Sequence, residues 1–309
     1  MVEKSVGSDG SAGSVRSVGW RNAELKRETR GTGPWKIAWR KFRRSRMALA
    51  GAVMVGVMAL AGLLAPALAP YAYDAQIRED AEQGPSARHW MGVDPLARDL
   101  MSRVLYGARV SLEVAVTATA VSVLIGVVAG ALAGYFGKWT DETLMRTADV
   151  FSAFPGILLA IAITAAFRRP SLAVVFVALG LVGWSGVARI VRGQVLSLRE
   201  EEFVTAAAAL GAGRLRILFR HILPNCLAPV IVVATLLVAG NILGEAGLSF
   251  LGIGVQPPHP SWGGMLAEAR REMTHAWWMC AFPGAAIALT VLAFNLLGDG
   301  LRDALDPKT

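Results

Sequence analysis

Residues 202–224 read EFVTAAAALGAGRLRILFRHILP and lie between two charge-free stretches, 170–188 and 226–244, each long enough to cross a bilayer. Alanine and leucine favour a helix, glycines interrupt it, and a Leu-Pro pair follows. A membrane chain with a loop of this composition is expected to fold that loop and to place it against a partner.

The composition indicates a polytopic membrane protein. Apolar residues make up 54% of the 309 residues and charged residues 17%, well below the roughly 25% charge of a soluble domain. Six charge-free runs can each supply the roughly 20 apolar residues that a bilayer requires. We therefore predict an all-α fold with six transmembrane helices, at residues 47–73, 114–135, 150–167, 170–188, 226–244 and 273–298.

Lysine and arginine are distributed unevenly around these runs. With the amino terminus inside, 22 of the 31 basic residues lie in inner segments and 9 in outer ones. The positive-inside tendency therefore places both termini and residues 189–224 in the cytoplasm. The net charge of +8 is explained by anionic headgroups rather than by nucleic acid. Cys226 and Cys280 fall near opposite faces, so they are not expected to pair.

Composition divides the chain into a tail, an anchor and a core. Residues 1–33 are rich in Ser, Gly and charge, and we predict a disordered cytoplasmic tail. Trp35, Trp39 and Phe42 recur at helical spacing among basic residues, which indicates an amphipathic helix over 34–46 on the inner membrane surface; a partner-binding helix is the alternative. We then expect the first span at 47–73, which is retained as an anchor rather than cleaved as a signal peptide. An outer loop at 74–109 follows, then a core of five spans at 110–300 with the cytoplasmic coupling loop 189–224, and a cytoplasmic carboxyl terminus at 301–309.

A stripe of small residues lies in the second predicted span. Gly126, Gly130 and Gly134 repeat every four residues, so they line one helical face without side chains. Such a stripe allows close helix contact, either within this chain or against another subunit.

Three other segments carry local structural signals. A Phe154-Pro155 break is expected to kink the third span. A turn at Asp94-Pro95 should lead into a helix in which Asp99 and Arg103, one turn apart, can pair. The glycines and prolines of 244–266 predict an irregular segment that dips into the membrane edge.

The sequence shows no catalytic apparatus. It has no Gly-x-x-x-x-Gly-Lys-Ser/Thr loop for phosphates and no His or Cys spacing typical of a metal site. The acids nearest the spans, Glu113, Asp149, Glu245 and Asp299, fall at predicted ends, whereas an ion-driven carrier needs such a group near the midplane. These observations indicate a non-enzymatic chain that takes its energy from another subunit.

The segment 202–224 offers a route for that energy. Small side chains at 206–209 allow a short helix to seat deep in a groove, and Gly211 permits a turn into a second helix that Pro224 closes. An interfacial loop that binds only lipid headgroups is the alternative. The predicted docking residues are Phe203, Thr205, Ala206, Ala207, Leu210, Gly211, Arg214 and Pro224.

Four motifs resemble bacterial ABC importer permeases of the dipeptide/oligopeptide family, in their C-type subunit. Thr-Ala-Ala at 205–207, with Gly211 and Leu-Pro at 223–224, resembles the "EAA" loop, with Thr205 where such loops often have Glu. Gly92, Asp94, Arg98 and Asp99 match a run that precedes the second span, with Ala97 where Gly is usual. The other two matches are LSFLG at 248–252 with QPP at 256–258 and WG at 262–263, and NLLGDGLRDALDP at 295–307.

This resemblance implies a type I ABC importer permease with no cofactor on this chain. The implied partners are a homologous second permease, two cytoplasmic ATPase subunits that hold ATP and magnesium, an extracytoplasmic binding protein, the peptide substrate and membrane lipid. It implies a multi-pass protein of the bacterial inner membrane whose coupling loop is 189–224. The alternatives are a nickel-chelate importer of the same family, a secondary transporter working alone, and a membrane anchor without transport.

Overall fold

The computed structural model describes residues 34–167 and 171–306, and within these ranges the chain forms helices and turns with two isolated β-bridges and no strand. The predicted tail at 1–33 lies outside the described residues. In chain order the helices are α1 (Pro34–Arg44), α2 (Arg46–Leu63), α3 (Ala65–Leu68), α4 (Leu100–Phe136), α5 (Lys138–Ala153), α6 (Gly156–Ala166), α7 (Leu172–Arg199), α8 (Glu202–Ala209), α9 (Arg214–Ile217), α10 (Leu223–Phe250), α11 (Trp262–Ala269) and α12 (Trp278–Leu305).

Five helical segments in the described part of the chain are long and apolar enough to cross a membrane. They are α2, α4, α7, the continuous segment Arg214–Phe250 and α12. Helices α5 and α6 make a sixth candidate if they count as one span, although they are bent by 94° at the break between them. Pro155 causes this break, because it lacks an N–H and pushes Phe154 into an extended conformation at φ −93° and ψ 140°. The prediction of an all-α fold with a break at this proline is confirmed, and the described residues give five membrane-crossing helical segments, or six with the bent pair α5–α6.

Several helix ends differ from the predicted boundaries, and three of the helices run further than the charge-free sequence does. Asp99 caps α4, accepting a hydrogen bond from the Ser102 amide at 2.8 Å, so α4 starts at Leu100 inside the predicted outer loop 74–109. Helix α7 takes in the start of the predicted loop 189–224, and α12 continues into the predicted terminal segment 301–309. Helix α2 ends at Leu63, before the predicted end at 73.

The predicted closure by Pro224 is also wrong. A π-helical turn, Leu218–Ile222, joins α9 to α10, so that Arg214–Phe250 is one helical segment of 37 residues. Pro224 lies in the first turn of α10, directly after the π turn, where the hydrogen-bond pattern changes and a missing N–H is tolerated. At about 1.5 Å per residue this segment is roughly 55 Å long, which exceeds the thickness of a bilayer core.

Helix α10 also passes through the glycine-rich sequence that was expected to be irregular from 244 onward. It ends only at Phe250, and the irregular stretch is limited to 251–261. Glu245, predicted at a span end, therefore lies within α10 and is fully buried.

The glycine stripe of α4 faces α7. A Cβ atom at Gly126 would lie 2.8 Å from the Trp184 carbonyl oxygen, and one at Gly134 would lie 2.9 Å from that of Arg192. A Cβ atom at Gly130 would overlap the carbonyl oxygen of Ala188. The stripe thus lets the backbones of α4 and α7 approach within this chain.

The bundle has two ends that carry different elements. Helices α1, α8 and the last turn of α12 lie at one end, which we call the α8 end; there the Lys41 ammonium donates to the Asp306 carbonyl at 3.1 Å. Residues 69–99, the stretch 251–277 and α11 lie at the other end, which we call the α11 end. The first and last described helices thus meet at the same end, as an even number of crossings requires.

An ion-pair cluster fixes the α11 end. Arg103 contacts Asp94 and Glu268, each at 2.6 Å, and Arg98 contacts the same two carboxylates. The predicted Asp99–Arg103 pair is wrong, since Asp99 caps α4 and bonds the His89 ring at 2.8 Å. Burial raises the pKa of Glu268, but the hydrogen bonds and charges of its two arginine partners outweigh burial and hold that pKa below its usual range.

Candidate functional site

Helix α8 is a short helix with a glycine-terminated end. The Gly211 amide donates to the Ala208 carbonyl at 3.0 Å, and the Ala212 amide donates to the Ala207 carbonyl at 3.1 Å. Together they form a Schellman motif, in which the residue after the cap has positive φ. Gly211 has φ +81° and open space around its Cβ position, so the backbone conformation, not crowding, favours glycine here.

The inner side of α8 packs against α9 and the π turn. Val204 is 6% exposed and belongs to a cluster with Ile217, Leu218 and Ile222 of α9 and the π turn. Ala207 is half-buried against the same cluster. This seat connects α8 through apolar contacts to the start of the 37-residue segment that crosses the bundle.

The outer side of α8 is apolar and exposed. Leu210 is 89% exposed and Phe203 is 40% exposed, and Ala206 is exposed between them. Leu215 and Phe219, one helical turn apart, are also more than half exposed. Sequence reasoning did not select these two residues, although their spacing and basic neighbours were a usable signal. We use the name α8 surface for five exposed residues, namely Phe203, Ala206 and Leu210 at α8 and Leu215 and Phe219 after the turn.

The structure divides the predicted docking residues into three groups. Phe203, Ala206 and Leu210 lie on the α8 surface, and Thr205 is exposed beside them with its hydroxyl donating to the Glu201 carbonyl at 3.3 Å. Ala207 belongs to the inner seat. Gly211 forms the turn, Arg214 starts α9 with an exposed side chain, and Pro224 is exposed in α10 beyond the π turn.

Charge is arranged along this segment by sign. Glu201 and Glu202 stand at the amino end of α8, where a helix favours negative charge, and Arg214, Arg216 and Arg220 follow the turn. Arg192 forms a bidentate ion pair with Asp141, its Nη2 at 2.6 Å, which fixes α5 against α7 beside this end. The α8 surface is thus apolar, with acidic residues before it in the chain and basic residues after it.

The side chains of the α8 surface are apolar or small. The described residues contain no group of three or more His, Cys, Asp or Glu side chains that could hold a metal ion. The α8 surface itself offers aliphatic, aromatic and small side chains, which bury area against a complementary groove. In a complex, Leu210 and Phe203 would be the large apolar side chains that a groove of the partner covers.

Comparison with known proteins identifies the family. Residues 126–309 match the family described as "Binding-protein-dependent transport system inner membrane component", and residues 33–85 match "N-terminal TM domain of oligopeptide transport permease C". Similar proteins include the dipeptide transport system permease protein DppC of Alkalihalophilus pseudofirmus, 46% identical over 275 residues, which are 89% of this chain and 90% of the relative. The glutathione transport system permease protein GsiD is 46% identical in Pectobacterium atrosepticum and 47% identical in Escherichia coli O157:H7, each over 278 residues covering 89% of this chain and 91% of the relative. The chain belongs to the family of ABC importer permeases, as a multi-pass inner-membrane subunit of the dipeptide/oligopeptide C-type branch.

Proposed function

We propose that this chain forms half of the path of a peptide importer and couples that path to two ATPase subunits through the α8 surface. The observation that carries the proposal is an 89% exposed leucine on a short helix that is firmly seated on a membrane-crossing segment. An exposed aliphatic side chain beside Phe203 gains free energy when a protein groove covers it. The rigid seat then passes the motion of the partner to the bundle.

The orientation that this proposal requires places the α8 end in the cytoplasm. The excess of lysine and arginine in the predicted inner segments supports that orientation. ATP and magnesium would be held by the ATPase subunits, while this chain would contribute no cofactor site. The α11 end would face the extracytoplasmic binding protein and receive the substrate beside a homologous second permease.

The substrate class that we propose is short peptides. The relatives are named for dipeptide and for glutathione transport, and both substrates are small peptides. A nickel chelate, the alternative raised by the sequence, gains no support from these relatives. A secondary transporter working alone is disfavoured because the family consists of permeases that depend on a binding protein.

We further propose that α1 lies on the headgroups of the inner leaflet. Phe42 is buried against Ala48 and Ala304, so one face of α1 is held by the bundle. Beside it, the exposed Trp39 ring stacks on Phe42 at a centroid distance of 5.9 Å, and four basic side chains are also exposed, Lys36, Arg40, Arg43 and Arg44. Exposed aromatic and basic side chains on one short helix suit an anionic membrane surface.

The coupling proposal is tested by placing a charge on the α8 surface. Ala206→Arg puts a long cation among the proposed apolar contacts while leaving the inner seat untouched, whereas Ala87→Arg makes the same change at an exposed site of the α11 end. In the assembled importer, Ala206→Arg should abolish peptide uptake and the stimulation of ATP hydrolysis by the loaded binding protein, with normal membrane insertion. Ala87→Arg should keep both activities. Normal uptake by Ala206→Arg at parental expression would refute the proposal.

A further inference from the structure

A buried carboxyl group near the α11 end has no role in the coupling surface described above. Glu245 of α10 is fully buried, and none of the described Lys, Arg or His side chains forms an ion pair with it. A buried carboxyl group without a cation is costly unless hydrogen bonds satisfy both of its oxygens. Its partners therefore show what it is placed to hold.

Two serine hydroxyl groups donate to the carboxyl oxygens of Glu245, and the hydroxyl of a third serine, Ser261, donates to the Ser249 oxygen at 3.4 Å. Ser249, one turn further along α10, donates to Oε1 at 2.6 Å, and Ser111 of α4 donates to Oε2 at 3.3 Å. The carboxyl group thus joins two membrane-crossing helices through hydroxyl donors. Each hydroxyl has only one proton, so each of these donors is fully used.

The same two serine oxygens accept hydrogen bonds from the backbone that follows α10. The Val255 amide donates to the Ser249 oxygen at 3.0 Å, and the Trp262 amide donates to the Ser111 oxygen at 3.2 Å. Two relays therefore run from the backbone of 251–262 through a serine to one carboxyl group. Glu245 fixes the direction of both hydroxyl groups, and so it fixes where that backbone sits.

Close backbone contacts reinforce this attachment. A Cβ atom at Gly254 would lie 2.5 Å from the Ser249 amide nitrogen, and one at Gly263 would overlap the backbone of Ala246. The indole of Trp262 donates to the Val104 carbonyl of α4 at 3.0 Å. The stretch 251–262 is thus held to both α10 and α4, with Glu245 at the junction.

Helix α10 also leads directly to the α8 surface. The segment Arg214–Phe250 is continuous, and its first turns carry the Leu218 and Ile222 side chains on which α8 is seated. A rotation or shift of α8 would therefore move the whole segment, including the turn that carries Glu245 and Ser249. A rigid element that contacts both ends is a physical basis for coupling between them.

We propose that Glu245 is a positioning residue for transport, which holds the stretch 251–262 in register with α10 and α4 so that movement started at the α8 surface reaches the α11 end. This inference rests on the proposed function, since it assumes that ATPase subunits move α8. Glu245 acts through Ser249 and Ser111 and not by touching the substrate. Without Glu245, movement of α8 would no longer reach the α11 end, although the α8 surface and the α11 end would both remain intact.

The test compares three variants of the assembled importer in lipid nanodiscs. Glu245→Leu removes both acceptors, Glu245→Gln keeps one acceptor oxygen, and Glu113→Leu is the matched control on an exposed face of α4 two residues from Ser111. The first readout is the stimulation of ATP hydrolysis by the loaded binding protein. The second is the distance between spin labels at His259→Cys and Ser86→Cys, in a cysteine-free background, with and without ATP.

We expect Glu245→Leu to retain its ATPase subunits but to lose about tenfold in stimulation, within the range typical of coupling between sites, and to lose the ATP-dependent change in distance. Glu245→Gln should stay within about threefold of the parent, because its amide keeps one acceptor oxygen for a serine donor, and Glu113→Leu should match the parent. Parental stimulation and a parental distance change in Glu245→Leu would overturn the inference.

A second variant covers the case in which Glu245→Leu fails to assemble. The double change Ser111→Ala and Ser249→Ala removes both relays with little change in volume, and it should reduce stimulation and the distance change in the same way. Parental values in this double variant would overturn the inference. If the parent importer itself binds no ATPase subunit, the proposed function fails and the inference falls with it. If the binding protein stimulates ATP hydrolysis equally in the parent and in the variants, the inference alone is refuted.

Discussion

The change Leu210→Ala separates docking from folding. Leu210 is 89% exposed in the isolated chain, so its truncation should change the stability of the chain by no more than about 0.5 kcal/mol. If a groove in the ATPase subunit covers this side chain, the change removes three buried carbon groups at about 0.8 kcal/mol each. The loss of about 2.4 kcal/mol corresponds to roughly a 50-fold weaker Kd.

Binding of the purified ATPase subunit to nanodisc-embedded permease, followed by biolayer interferometry, measures this difference. Leu96→Ala is the matched control, because Leu96 is 55% exposed and lies in the loop at the α11 end. We expect the control to bind with the parental Kd and to melt at the parental Tm. An unchanged Kd for Leu210→Ala would refute the interpretation of Leu210 as a docking anchor.

Three further predictions follow from other parts of the fold. Gly130→Val should lower the Tm in detergent, by an amount that corresponds to about 1–3 kcal/mol or more of unfolding free energy, because the valine side chain would overlap α7. Gly186→Ala, with open space around its Cβ position, should not lower the Tm, and equal Tm values for the two variants would contradict the packing of α4 on α7. The pKa of Glu268 is held below its usual range, so the stability that its ion pairs contribute is present above the ordinary carboxyl pKa and is lost as the pH falls through the lowered value. The Tm of the parent should therefore fall on acidification, and the Tm of Glu268→Gln should fall less. Identical pH profiles of Tm would contradict this ion-pair account. In a cysteine-free background, Ser86→Cys should react with an impermeant thiol reagent in intact cells and Ser197→Cys should not; the reverse labelling would invert the proposed orientation.

The sequence predicted an all-helical chain that crosses the membrane several times, because membrane helices are set by the apolar length that a bilayer requires. It did not predict their ends, since helices continue through charged residues once those residues find partners. Arg192 within α7 pairs with Asp141, for example, and Asp99 caps α4 at the start of the predicted outer loop. Such partners come from distant parts of the chain, and a single sequence does not show them.

The same limit applied to the candidate site. The composition of 202–211 predicted a short helix and a glycine turn, because alanine propensity and positive φ are local properties. Which alanine faces inward depends on the contact with Ile217 and Leu218, so Ala206 and Ala207 could not be told apart. The continuation of the helix through Pro224 depends on the π turn before it, which has no clear local signal.

The most direct test of the central claim is a photo-cross-linking experiment in the assembled importer. A photoreactive amino acid at Leu210 should cross-link to the ATPase subunit, whereas the same group at Trp90, which is 70% exposed at the α11 end, should not. Cross-links from Leu210 to lipid alone, with the ATPase subunits bound and active, would show that the α8 surface lies on the membrane and would contradict the account.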